Sequence, residues 1–105
     1  MSCQILIQPT AFQEIETSYR WMCDNLSADI ANNWYYELQD AITSLQTFPK
    51  RCPIAPEASI VGREIRQLLI GKRKKYRVLF VVEKEVIAII HVRHSHQSYV
   101  GESFE

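Results

Sequence analysis

At 105 residues, 47% of them hydrophobic, with only three glycines and four prolines, the chain can build one core of its own and is too apolar for a disordered segment. Its formal charge is zero, but residues 1–48 carry six acids against one arginine, and residues 49–105 carry eleven Lys and Arg against six acids, so an acidic half meets a basic one. Three cysteines at irregular spacing argue against a disulfide framework and a paired-cysteine metal site. No basic n-region opens the chain, and no stretch reaches the ~18 apolar residues of a bilayer span. These features read as a single domain over residues 1–105, soluble and cytoplasmic, with no metal, no cofactor and no membrane association.

Residues 4–8 predict a short strand that Pro9 stops. Thr10 reads as the N-cap of a helix, with Gln13 as its capping-box partner. Phe12, Ile15, Tyr19, Met22 and Leu26 then form one apolar stripe, which ends at Asp24-Asn25. Ser27 reads as the next N-cap, with Asp29 in the first turn to suit the helix dipole. Ile30, Trp34, Leu38, Ala41, Ile42, Leu45 and Phe48 continue at spacings of three and four until Pro49. Trp21 and Trp34 are expected at the interface of this helix pair. Residues 50–62, with Pro53 and Pro56, read as a rigid loop.

From residue 63 to 96 three β-branched, apolar runs are separated by turn signals at Gly71-Lys72 and Glu83-Lys84-Glu85, the pattern of an antiparallel meander. The order βααβββ predicts an α+β fold. An N-terminal helix hairpin packs on one face of a small, antiparallel-rich sheet, and the other face stays at least partly open. The tail, residues 97–105, either frays or docks through Tyr99, Val100 and Phe104.

No nucleophile elbow, zinc-binding helix motif or phosphate loop is present. The chemistry-bearing residues are cationic. Lys72, Arg73, Lys74, Lys75 and Arg77 cluster at one turn, Arg63 and Arg66 precede them, and His91, Arg93, His94 and His96 follow. Such a face suits an anion, either RNA or an acidic partner segment. His94 or His96 near neutral pKa suits general acid–base work, and Arg66 and Arg77 suit a phosphate. Tyr99 either stacks on a base or packs on the sheet. Arg77 inside an apolar strand has an equally weighted alternative, a structural ion pair with Glu57 or Glu64.

The run Ala41-Ile42-x-x-Leu45-x-x-Phe48-Pro49, the loop with Pro53, Pro56 and Glu57, then Ile65-Arg66-x-Leu68, Tyr76-Arg77-Val78-Leu79-Phe80 and Ile89-Ile90-His91-Val92-Arg93-His94 resemble the RelE/ParE superfamily of type II toxin–antitoxin toxins. The resemblance covers nearly the whole chain and is closer to the ParE branch in its long hairpin. It implies a growth-inhibiting toxin, neutralised by a cognate antitoxin and acting on DNA gyrase. The RelE alternative is a ribosome-dependent mRNA endoribonuclease whose catalytic set is His94, His96, Arg77, Arg66 and Tyr99. A third alternative is a non-toxic paralogue that still binds antitoxin. Antitoxin or target contacts are expected at Arg66, Lys72, Arg73, Lys74, Lys75, Arg77 and Arg93. The antitoxin segment is expected to be acidic or amphipathic.

Overall fold

A computed structural model of the chain describes residues 3–71 and 75–94. Strand β1 (Gln4–Ile7) leads into helix α1 (Pro9–Asn25), which is followed by α2 (Ala28–Ser44), a 3-10 turn (Pro49–Arg51) and the short helix α3 (Glu57–Val61). Strands β2 (Arg66–Ile70), β3 (Tyr76–Glu83) and β4 (Val86–His94) complete the described residues. The sheet order is β1-β4-β3-β2. The last three strands are the predicted antiparallel meander, and β1 joins it parallel to β4.

The first helix starts two residues earlier than predicted. Pro9 occupies its first turn and Gln8, in extended conformation, is the N-cap without a side-chain bond. Proline has no N–H to satisfy and its φ is preset for a helix, so it initiates the turn without a Thr10 cap. Ser27 caps α2 as predicted, its Oγ accepting the Ile30 N–H at 3.1 Å. Asp29 lies in the first turn, where its charge suits the helix dipole.

The two helices cover one face of the sheet. Ala11, Ile15 and Met22 of α1 and Ala31, Trp34, Leu38 and Ile42 of α2 pack with Val78, Phe80, Ile87, Ile89 and Val92. The buried stripe differs from the predicted one at its ends. Phe12, Leu26 and Ile30 are exposed, and so is Trp21, while Ala11 is buried. A 3.6-residue period fixes the angle of a stripe but not its width, so the flanking apolar residues fall outside the contact.

The opposite face is not left open along its centre. Residues 50–62, expected as loop, contain α3, and its Ala58 and Val61 pack with Ala55, Ile65, Leu79, Val81 and Ile90 into a second, smaller apolar cluster. Gly62 stops α3 in the left-handed region at φ 79°, the C-terminal glycine signal. The burial of β4 on both faces follows from a register shift. Leu79 pairs with His91 but Phe80 pairs with Ile89, so Ile90 is an extra residue in a bulge.

Candidate functional site

The two arginines expected to seek phosphate are held internally. Arg77 lies on the α3 side of β3 and is 7% exposed, against a Glu57 that is fully buried. Its Nη1 and Nη2 donate to the two Glu57 carboxylate oxygens at 2.7 and 2.6 Å. Nε and Nη2 donate to Gln67 Oε1 at 3.2 and 3.0 Å. This is a bidentate fork with an amide closing its remaining side. The Glu57 alternative weighed for Arg77 from the sequence is therefore realised in the geometry. Both charges are out of water, so each depends on the other.

Arg66 sits across from Phe80 in the β2–β3 ladder, which places it on the helix-facing side. Its Nη1 donates to the carbonyls of Lys50 and Cys52 at 3.2 and 2.7 Å, and Nη2 to Glu64 at 2.9 Å. It ties the 3-10 turn to the sheet. Arg66 and Arg77 thus point to opposite faces and are each occupied by protein acceptors.

His94 lies at the other end of the helix-facing side. It pairs with Tyr76 across β3 and β4, and the two rings meet edge to face at 5.1 Å. Tyr76 in turn touches Trp34 at 5.1 Å. From Tyr76 to Phe80 the strand advances about 13 Å, so His94 and Arg66 do not converge on one reacting atom. Lys75 is exposed at the start of β3. Lys72, Arg73, Lys74, His96, Tyr99 and the tail at residues 97–105 lie outside the described residues. Gly71, just before the basic run, donates its N–H to Glu37 Oε2 at 2.8 Å, so α2 anchors the end of β2.

Burial pushes the Tyr76 phenol above its ordinary value of 10.0, with a hydrogen bond to Ser18 opposing the shift. A phenol whose folded value is raised contributes stability that is complete below the unfolded value and is lost as pH rises through the folded one. Thermal unfolding midpoints will therefore fall from about pH 10 upward, and Tyr76→Phe will flatten part of that fall. A Tyr76→Phe curve as steep as the wild type's would refute the assignment.

Sequence reasoning missed Glu14. Beyond the end of β1 the outer edge of β4 has no neighbouring strand among the described residues, and Glu14 of α1 fills that position. Its Oε1 accepts the Val92 N–H at 3.0 Å and lies 3.0 Å from His91 Nδ1. Its Oε2 is 3.8 Å from Arg93 Nε. His91 and Arg93, read as part of an anion-binding face, thus have a resident carboxylate. The available signal was an acid beside Ile15, on the shoulder of a stripe that faces the sheet.

Two apolar features remain exposed. A groove of ≈ 380 Å³ runs between the helices, lined by Phe12, Ile15, Tyr19, Tyr35, Tyr36 and Ile42 among others. Phe48, predicted to close the α2 stripe, is instead 76% exposed beyond the helix end. Among the described residues no cluster of His, Cys, Asp or Glu has the makings of a metal site, and no helix is long and apolar enough to cross a membrane.

The family model described as the ParE toxin of the type II toxin–antitoxin system parDE matches residues 5–99. No curated protein matches the chain. Among solved structures, a chain from the chromosomal ParDE toxin–antitoxin system of P. aeruginosa superimposes with a TM-score of 0.70 at 14% identity, covering 89% of this chain and 96% of that one. At that identity the likeness carries the fold.

Proposed function

The chain belongs to the family of ParE toxins of type II toxin–antitoxin systems, and from that premise we propose that it arrests growth by binding DNA gyrase and not by cutting RNA. The observation that carries this reading is the state of the two arginines. Cleavage through a 2′-OH needs a base, an acid and cations that converge on one phosphate. Arg77 is saturated by Glu57 and Gln67, and the two terminal nitrogens of Arg66 are taken by two carbonyls and Glu64, while its buried Nε meets no acceptor among the described residues. Neither offers a free fork, and their opposed faces argue against a shared substrate. In this reading Arg66, Arg77 and Arg93 support the scaffold, while Lys72, Arg73, Lys74 and Lys75 belong to the contact surface for target or antitoxin.

The antitoxin is a partner that the family itself implies. The apolar groove between α1 and α2 and the basic run at residues 72–75 of the sequence call for an amphipathic segment with acidic stretches. The test is a supercoiling assay with purified gyrase beside an in vitro translation reaction whose mRNA 5′ ends are mapped. The expected result is blocked supercoiling, intact mRNA and full potency for His94→Ala. New ribosome-dependent cuts that vanish in His94→Ala would overturn the proposal and establish the nuclease.

A further inference from the structure

The link after α2 contains a residue whose backbone and side chain are both unusual. Phe48 adopts the left-handed region, φ 60° and ψ 55°, while its ring is 76% exposed. That backbone favours glycine or asparagine, because a Cβ crowds the following carbonyl. A bulky aromatic residue there is strained, and strain of this kind collects where a fold serves a function. The exposed ring recovers little from burial, so the fold does not repay the choice of phenylalanine.

The strained conformation is fixed from both sides. Arg51 Nη1 lies within hydrogen-bonding distance of the carbonyls of Ser44, Thr47 and Phe48 at 3.3, 3.0 and 3.2 Å, and Nη2 donates to Ser44 Oγ at 2.9 Å. A guanidinium thus gathers the orphan carbonyls at the end of α2 and clamps the link. Pro49 follows with its own φ preset. Beneath the turn, Arg66 holds the Lys50 and Cys52 carbonyls to the sheet. The ring therefore projects from a rigid mount, and little ordering cost remains when it enters a partner.

We infer that Phe48 is an anchor that inserts into an apolar pocket, rimmed by carboxylates, on the folded protein target of the toxin. A projecting knob needs a preformed concavity, which a folded protein offers and an extended segment does not. Exposed Lys50 and Arg51 follow Phe48 in the same turn and set the sign of the rim by charge complementarity. Buried aromatic anchors carry a large share of interface energy. The inference rests on the toxin reading above and names the surface through which the toxin acts.

The full chain with Phe48→Gly, Phe48→Asn and Phe48→Tyr tests this, read by thermal unfolding, antitoxin binding, growth arrest and inhibition of purified gyrase. Glycine and asparagine relieve the strain and remove the anchor. Their midpoints will rise by about 4 °C, their antitoxin affinity will stay at the wild-type value, and growth arrest will drop at least about tenfold. Phe48→Tyr will keep growth arrest. A Phe48→Gly chain that unfolds at lower temperature than wild type, or one that arrests growth as well as wild type, overturns the inference. A wild-type chain that arrests growth without inhibiting gyrase overturns the gyrase reading alone, and the growth comparison still decides the role of Phe48.

Discussion

Glu57→Ala will destabilise the toxin by about 3–5 kcal/mol, measured by urea unfolding. The substitution leaves Arg77 buried, 7% exposed, with Gln67 as its remaining acceptor among the described residues. An unpaired buried charge costs far more than the pair contributed, because desolvation is no longer offset. The paired change Glu57→Leu with Arg77→Met removes both charges and fills similar volume, so it will restore most of that loss. Full toxicity in the paired variant would show that the Arg77 fork takes no part in chemistry. A Glu57→Ala chain within about 1 kcal/mol of wild type would show instead that water reaches the pair.

Phe80→Ala will cost about 3–5 kcal/mol, read in the same unfolding experiment. Phe80 is the largest fully buried side chain and packs in the helix-facing cluster with Ile89 beside it across the ladder. Its removal leaves a cavity that a sheet pinned by ladder hydrogen bonds cannot close. A domain of this size has only about 5–15 kcal/mol in hand, so growth arrest will weaken through loss of folded protein. Loss of toxicity after a change in either core therefore identifies no active residue unless antitoxin binding and unfolding are measured beside it. A Phe80→Ala chain that loses less than about 1 kcal/mol would mean that the sheet collapses onto the helices more readily than its packing suggests.

The architecture was legible because local signals agreed with one another. Ser27 with Asp29, the three-and-four spacing from Trp34 to Leu45, and the three β-branched runs each pointed to the element that forms. What escaped was set by contacts remote in sequence. Phe12 and Trp21 lie near the stripe yet face solvent, because the width of the helix contact depends on the sheet beneath. The α3 turn rests on Ala55, Ala58 and Val61, small residues with too little periodicity to announce a helix. The faces of Arg66 and Arg77 were hidden because β2 and β3 are apolar on both sides, and the Ile90 bulge breaks the alternation in β4. The partner of Arg77 was one of two acids named from the sequence, and only the fold brings Glu57 onto it.

The parallel pairing of Gln4–Ile7 with Val86–Ile89 has a consequence for the timing of synthesis. The first strand is made long before its neighbour, because the helix pair and two other strands lie between them in the chain. Such distant pairing is slow to form and leaves the early segment waiting. Until β4 is free of the exit tunnel, Ile5 lacks its partner strand and α1 lacks the surface on which Ala11 and Ile15 pack. Among the described residues the sheet is sealed only when β4 joins it, so a nascent chain that still lacks β4 has not formed the fold. That interval leaves time for the antitoxin that the family implies to be present before the fold closes.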